Sequence, residues 1–379
     1  MGRTTTGGIV LECECWAAWF GIQKSKRCPA ESPLFAKEKI PVRHLLFGGT
    51  LSLVMLVAAG ANAGTLDNVK KSGNLRCVVS TGIAGFAFTD ESGVWRGFDI
   101  DFCRATAAAI LGSQNKVKFI PSTGKTRFTL LNSGEGDVLW RVTTWTFVRD
   151  ADVKLSFGGV NYYDGQGFMV PKSLGVKSAR ELDGASVCIQ TGSTTELNIA
   201  DYFRTNRIRY EPVPIETNAE ARVSYLAGRC DVYTTDASGL AATRSTFAKP
   251  GDHVILPEII SKEPLGPATR HGDDQWSDLV RWVLNATIAA EELGVTQANV
   301  DKLAKGSDNP EINRLLGSEG NLGGMLGLEQ RWAYNVIKAV GNYAEIFDRN
   351  IGPGTPIGLE RGLNALWNKG GLLYSPPFR

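Results

Sequence analysis

Histidine is the scarcest of the residues that usually carry acid–base or metal chemistry, because the 379-residue sequence has only three. Neither sign of charge is in large excess: 41 lysines and arginines face 39 aspartates and glutamates, for a net charge of +2. A protein that binds nucleic acid through a basic field is therefore not expected. The sequence also lacks G-x-S-x-G, H-E-x-x-H, a P-loop and a G-x-G-x-x-G after a strand. These absences argue against an enzyme, and we expect no metal and no cofactor.

A short apolar run near the N-terminus is typical of an export signal. Residues 44–59 carry no acidic side chain and follow a short basic stretch. The run is followed by Ala-Asn-Ala at 61–63, an A-x-A cleavage pattern. A membrane anchor is the alternative, but a spanning helix needs roughly 20 apolar residues and this run is shorter. We expect residues 42–63 to be a signal peptide cut after Ala63, and residues 1–41 to precede the true start of translation.

Four of the seven cysteines follow the predicted cleavage site: Cys77, Cys103, Cys188 and Cys230. An even number of cysteines in an exported protein favours disulfides, and four cysteines allow three connectivities. Closeness along the chain favours Cys77–Cys103 and Cys188–Cys230, while four buried free thiols are the alternative. A metal site is not expected, because these cysteines form no C-x-x-C motif and have no neighbouring histidine.

Strand-like segments alternate with helices of about ten residues after residue 64. This alternation predicts parallel βαβ units and an α/β fold. Two extended segments that contain glycine and proline, 162–171 and 259–270, suit two crossings between halves of the molecule. We therefore expect two lobes, with lobe 2 inserted into lobe 1. The predicted boundaries are 64–164 for the first part of lobe 1, 165–265 for lobe 2, and 266–379 for the return to lobe 1 with a helical C-terminal extension.

Two segments of the C-terminal part carry apolar residues at helical spacing. They cover residues 274–293 and 331–350. Their periodicity predicts two helices that pack on the core.

Three segments carry groups suited to holding a small zwitterion. In the first, Thr144 and Arg149 follow a predicted buried strand. Ligands bind at the carboxyl ends of strands in open α/β sheets, and a guanidinium can hold a carboxylate with two parallel hydrogen bonds. The alternative is a surface Arg149 that pairs with Asp150.

The other two segments follow strands of the second half. Ser193 and Glu196 predict a capping box at a helix start, where free N–H groups attract a carboxylate. Asp236 ends an apolar strand. It could accept hydrogen bonds from an ammonium group or cap the helix that follows, and the pattern alone leaves both open.

Together these segments resemble the periplasmic solute-binding proteins of ABC importers, specifically the polar amino-acid family. The resemblance covers residues 64–379, and the tail resembles the subfamily of general L-amino-acid-binding proteins. The motifs that carry it are G-F-D-I-D-F (97–102), G-E-G-D-V-L (134–139), T-T-W-T-F-V-R-D (143–150), Q-T-G-S-T-T-E-L (190–197) and G-R-C-D-V-Y-T-T-D (228–236).

The resemblance implies a role for each candidate residue. The α-carboxylate of the ligand would be held by Arg149 and Thr144, with help from Ser193 and Thr194. Its ammonium group would be held by Asp236 and by a carbonyl or hydroxyl near Val142. Family members often enclose the ligand side chain between aromatic residues, and the corresponding positions here are Ile83, Phe86 and Gly124. Such a less confined pocket suits broad selection.

The function implied is that of the extracytoplasmic substrate-binding component of an ABC importer. Two lobes would close around an L-amino acid in the periplasm and deliver it to permease subunits in the inner membrane. A monomer is the family default. A chemosensory binding module and an enzyme similar to cyclohexadienyl dehydratase are the alternatives on the same fold.

Overall fold

The computed structural model describes residues 64–379. The predicted N-terminal extension, 1–41, and the predicted signal peptide, 42–63, lie outside the described residues. Of the helices from residue 64 onward, none combines the length and apolarity needed to cross a membrane.

Strands and helices alternate through the first two thirds of the described chain. The strands are β1 (Leu75–Ser80), β2 (Phe88–Thr89), β3 (Trp95–Arg96), β4 (Val117–Ser122), β5 (Val138–Leu139), β6 (Leu155–Phe157), β7 (Tyr162–Asp164), β8 (Gln166–Pro171), β9 (Ala185–Gln190), β10 (Tyr210–Ile215), β11 (Val232–Asp236), β12 (His253–Ile255), β13 (Glu263–Leu265) and β14 (Ala268–Arg270).

The helices are α1 (Thr65–Ser72), α2 (Phe98–Leu111), α3 (Arg127–Asn132), α4 (Phe147–Ala151), α5 (Thr195–Asn206), α6 (Asn218–Leu226), α7 (Ala237–Ser245), α8 (Asp274–Glu292), α9 (Val300–Leu303), α10 (Pro310–Leu316), α11 (Leu322–Met325), α12 (Trp332–Val340) and α13 (Tyr343–Asn350). Short 3₁₀ turns cover Lys172–Leu174, Ala179–Glu181, Pro250–Asp252, Gly362–Asn364 and Trp367–Lys369.

Two five-stranded sheets organise these elements, and we call them the first and second sheets. The first has the order β4-β1-β5-β14-β6, with β1 parallel to β4 and β5, and β14 antiparallel to β5 and β6. The second has the order β10-β9-β11-β8-β12, with β9 parallel to β10 and β11. The α/β fold predicted from the sequence is confirmed.

The strands of the second sheet lie between β6 and β14 along the chain. The chain thus leaves the first sheet after β6 and returns to it at β14. Beside both passages, β7 and β13 form an antiparallel pair in which Asp164 faces Glu263. The predicted crossing 162–171 is longer than the passage between the sheets. It contains β7 and also β8, which is already a strand of the second sheet. The exact lobe boundaries stay a prediction.

The C-terminal helices extend the core of the first sheet. Apolar side chains of α2, α8, α12 and α13 share one buried cluster with β1. The segment 331–350 was predicted as one helix, and this prediction is wrong. Gly341 has φ +85, and Asn342 starts α13 with a capping box to Glu345. Because a positive φ is unfavourable for other residues and a capping box marks a helix start, the chain breaks here into two helices.

Both expected disulfides are present. Cys77–Cys103 joins β1 to α2 beside the first sheet, and Cys188–Cys230 joins β9 to the turn before β11 in the second. Each half therefore carries its own covalent link between a central strand and a neighbouring segment.

Candidate functional site

A charged pocket lies between the two sheets, at the carboxyl ends of β1, β5, β9 and β11. It encloses about 510 Å³ of empty space, including the part that opens to solvent. We call its two sides the first wall and the second wall, after the sheet that supplies each. The first wall consists of Ile83, Phe86, Arg127, Arg141, Val142, Thr144 and Arg149, and the second of Gln190, Ser193, Thr194, Thr195, Asn218, Thr235, Asp236, Ser238 and Gly239.

Arg149 is a buried cation of the first wall. It lies in α4, and its side chain donates through Nη1 to the carbonyl oxygen of Thr144 at 2.8 Å. Only 7% of the residue is exposed, and burial lowers the pKa of its guanidinium. Asp150 instead accepts from the indole N–H of Trp145. The alternative of a surface Arg149 paired with Asp150 is therefore wrong, and the remaining donors of the guanidinium are available to a ligand.

Sequence analysis did not single out Arg127 for this wall. It is 3% exposed, and its Nε has no hydrogen-bond partner in the described structure. Its Nη2 donates to the carbonyl oxygen of Gly192 at 3.1 Å, which joins the two walls. Burial and the neighbouring Arg141 and Arg149 lower the pKa of Arg127 well below its usual value. No motif marked this arginine, because it lies on the short helix α3 rather than at the end of a strand.

Arg141 is the third buried guanidinium of the first wall. It is 4% exposed and donates through Nε to the carbonyl oxygen of Ser122 at 3.3 Å. Burial lowers its pKa to about 10, although the carboxylate of Asp99 opposes that shift. Three arginines thus face the single carboxylate that lines the pocket.

That carboxylate belongs to Asp236, which ends β11 at the start of α7. Its side chain makes no capping hydrogen bond to α7, and no described residue donates to it. Asp164 of β7 takes over the cap, because its carboxylate accepts from the backbone N–H of Ser238 at 3.3 Å. Of the two readings of Asp236, capping is therefore excluded, and its carboxylate stays available to a ligand.

The pKa values of both aspartates are raised. Burial is the largest cause, and it raises the pKa of Asp164 to about 6. The pKa of Asp236 is raised well above its usual value by burial and by the charges of Asp164 and Glu263, against the opposing effect of Arg149. A cationic ligand group beside Asp236 would relieve this repulsion.

The start of α5 forms the other part of the second wall. The predicted capping box is wrong, because the hydroxyl of Ser193 donates to the carbonyl oxygen of Gln190. Glu196 accepts from the backbone N–H of Gly192 at 2.8 Å, and Thr194 is the N-cap without a side-chain cap bond. The first N–H groups of this 12-residue helix thus lie beside the pocket, where they favour an anion.

Thr144 and Thr194 face each other across the pocket, with 3.5 Å between their hydroxyl oxygens. Both hydroxyls donate to the same carboxylate oxygen, Oε2 of Glu263 on β13. Sequence analysis missed Glu263, because it lies in a segment interpreted only as a crossing.

Val142 lines the pocket in an unusual backbone conformation. Its φ is +22, and its backbone N–H donates to Asp99 at 3.2 Å. A positive φ is unfavourable for a β-branched residue and is typical of functional sites. The predicted role of its neighbourhood in holding an ammonium group stays a prediction.

The predicted side-chain pocket is only partly assembled. Ile83 and Phe86 line the first wall, but Gly124 does not line the pocket. A Cβ at Gly124 would lie 2.6 Å from the carbonyl oxygen of Thr191, so this glycine permits close contact between the two backbones. Its position serves the contact between the walls rather than the ligand side chain.

Two α/β sheets that enclose a polar pocket at the ends of their strands define a solute-binding protein of the periplasmic type. Residues 75–299 match the family described as bacterial extracellular solute-binding proteins, family 3, and the chain belongs to this family. It is 57% identical over 333 residues to a glutamate/glutamine/aspartate/asparagine-binding protein of Rhodobacter capsulatus. These residues are 88% of this chain and 98% of the relative.

Two further comparisons extend over most of the chain. A general L-amino acid-binding periplasmic protein of Rhizobium johnstonii is 59% identical over 324 residues, which are 85% of this chain and 95% of the relative. A solved periplasmic binding protein of an ABC transporter from Brucella ovis, with glutathione bound, is 56% identical with a TM-score of 0.81. That comparison covers 84% of this chain and all of the solved one. These relatives are named as binding proteins.

Proposed function

We propose that this protein captures L-amino acids in the periplasm for an ABC importer, as its binding component and without catalysing a reaction. The observation that carries the proposal is the opposite charge of the two walls. Arg149 offers unpaired guanidinium donors on the first wall, and Asp236 offers a carboxylate without a hydrogen-bond donor on the second. An α-carboxylate at Arg149 and an α-ammonium group at Asp236 would satisfy both.

A zwitterion that bridges both walls would also favour their closed arrangement. A ligand shifts a conformational equilibrium only by its differential affinity for the two states. Because each charge of an amino acid pairs with a different wall, its affinity is highest when the walls are together. In this structure Arg127 already donates to Gly192 beside the second wall, and Glu263 accepts from Thr144 of the first wall and Thr194 of the second. Permease subunits that recognise the closed form would then receive the loaded protein.

The other two arginines of the first wall, Arg127 and Arg141, are relevant to the choice of ligand side chain. Arg127 has a buried Nε without a partner, and Arg141 is buried beside it. A buried donor without an acceptor is costly, so an acceptor on the ligand is favoured there. We propose that L-amino acids with a side-chain carboxylate or amide bind most tightly, while recognition of the zwitterion permits broader selection. The names of the Rhodobacter capsulatus and Rhizobium johnstonii relatives are consistent with both parts of this proposal.

The direct test is a binding screen on protein that has been unfolded, freed of ligand and refolded. The twenty L-amino acids and their D-isomers would be added, and the melting temperature recorded. A ligand that binds only the native state raises the melting temperature with concentration. We expect shifts from several L-amino acids, largest for L-glutamate and its close analogues, and none from D-isomers. No shift with any L-amino acid would refute the proposed function.

A further inference from the structure

Glu263 is a buried carboxylate that connects the strand crossing to both walls of the pocket. It lies on β13, is 1% exposed, and forms no ion pair within residues 64–379. Four side chains donate to it instead. A buried charge without a counter-ion is stable only when hydrogen bonds satisfy it, so these four contacts are needed to hold it.

The four donors come from three parts of the chain. Thr144 belongs to the first wall, Thr194 and Asn198 belong to the start of α5, and Ser261 precedes β13. Thr194 donates to Oε2 at 2.9 Å, while Asn198 and Ser261 donate to Oε1 at 2.7 Å each. One carboxylate oxygen thus holds a hydroxyl from each wall.

The backbone strengthens the connection to the first wall. The N–H of Trp145 donates to the carbonyl oxygen of Pro264 at 2.8 Å, and the N–H of Gly266 donates to that of Thr143 at 3.0 Å. The loop is therefore attached on both sides of Thr144 to the residues that directly follow Glu263. The second wall has no comparable backbone pairing with β13, so its attachment depends on Thr194 and Asn198.

The hydroxyl protons have a consequence for ligand binding. A threonine hydroxyl has one proton to donate. While Thr144 and Thr194 donate to Glu263, neither can donate to a ligand carboxylate. In this arrangement the α-carboxylate depends on Arg149 and on the N–H groups at the start of α5, and the two hydroxyls present only lone pairs to the pocket.

We propose that Glu263 is a positioning residue of the ligand site, which sets the spacing of the two walls by holding the hydroxyls of Thr144 and Thr194 on one carboxylate. The inference rests on the proposed function, since the ligand is taken to bind between these walls. Removing the negative charge would release the second wall, and the walls would then separate more readily and bind the ligand less tightly.

The test compares Glu263→Gln with a matched control, Glu258→Gln. Glu258 also accepts a hydrogen bond from a serine hydroxyl, that of Ser178, but Ser178 belongs to neither wall of the pocket. Calorimetry with L-glutamate and L-glutamine would measure affinity, and small-angle scattering would measure the radius of gyration of the ligand-free protein. We expect E263Q to weaken binding of both ligands about tenfold or more and to enlarge the ligand-free protein, whereas E258Q changes neither.

A double-mutant cycle separates positioning from general support of the fold. If Glu263 acts through Thr194, E263Q has a much smaller effect in a Thr194→Val background than in the wild type. Additive effects on affinity, or an unchanged radius together with unchanged affinity, would overturn the proposal.

Asn198→Ala covers the case in which E263Q does not fold. Asn198 does not line the pocket, so a loss of affinity of several-fold would act through Glu263, and unchanged affinity would contradict the proposal. The scattering experiment needs no ligand. A wild type that binds no amino acid would therefore refute the proposed function, while the radius of E263Q or N198A still tests the role of Glu263.

Discussion

The two walls of the pocket differ in charge and in the way the fold supports them. The first wall carries three buried arginines and belongs to a sheet whose core is extended by the C-terminal helices. The second wall carries one lining carboxylate and a helix start, on a sheet with smaller apolar clusters of its own. Under the proposed function neither wall alone can pair both charges of a zwitterion, so we expect recognition to require both.

The largest expected effect comes from removing the charge of either wall. Arg149→Ala and Asp236→Ala each leave one charge of the ligand buried without a partner. We expect each to cost about 3 kcal/mol or more of binding free energy, which is over 100-fold and abolishes detectable binding in calorimetry.

The exposed ion pair Arg204–Asp201 on α5 supplies the matched controls, R204A and D201A. These variants are expected to bind as the wild type does, because an exposed pair contributes little. Wild-type affinity in R149A or D236A would show that the charges of the walls do not hold the ligand.

The unequal support of the two sheets leads to a prediction on stability. The disulfide Cys188–Cys230 closes a longer segment than Cys77–Cys103, with sequence separations of 42 and 26. Replacing both cysteines of either pair by serine is expected to lower the free energy of unfolding by about 3–4 kcal/mol. The effect is expected to be larger for the second sheet, whose core is smaller. Denaturant unfolding followed by circular dichroism measures it, and a larger loss for Cys77–Cys103 would reverse the comparison.

The proposed contact between the additional arginines of the first wall and the ligand side chain can be tested by comparing the affinities for two ligands. Arg127→Gln removes a donor expected to contact the ligand side chain. We expect the substitution to lower the affinity for L-glutamate about tenfold or more. The affinity for L-alanine should stay within a few-fold of the wild type, because alanine has no side-chain acceptor. Arg127 lies over the phenyl ring of Phe128. Arg104→Gln is the control, since Arg104 lies over the phenyl ring of Phe119 but outside the pocket. Equal losses for both ligands would refute the assignment.

The smallest expected effect is a change of ligand affinity with pH, which depends on Asp236 of the second wall. Burial and neighbouring carboxylates raise the pKa of Asp236 in the ligand-free protein well above its usual value near 4. The ligand ammonium group favours the ionised form, so it lowers that pKa and binding releases a proton. Affinity is therefore expected to fall as the pH is lowered through the ligand-free pKa of Asp236. Calorimetry in buffers of different ionisation enthalpy measures the released proton, and an affinity independent of pH would contradict the role of Asp236.

The sequence predicted the parts of the site that end strands. Thr144, Arg149 and Asp236 follow β5 or end β11, and the end of a parallel strand is recognisable from an apolar run. These residues meet at one pocket because the carboxyl ends of both sheets face it.

The residues that sequence analysis missed lie where no periodic pattern marks them. Asp164 and Glu263 belong to the short crossing pair β7 and β13, and their roles depend on contacts between segments 74 and 119 residues apart. The break at Gly341 was missed for another reason. Asn342 and Glu345 have the spacing of a capping box, but the apolar residues on both sides continue the helical period.

The most direct test is a crystal structure of the protein, freed of ligand and then saturated with L-glutamate. The α-carboxylate is expected within hydrogen-bond distance of Arg149 and the start of α5, and the ammonium group within that distance of Asp236. The side-chain carboxylate is expected beside Arg127. A ligand bound to one wall only, or with its ammonium group away from Asp236, would contradict recognition of a zwitterion by two oppositely charged walls.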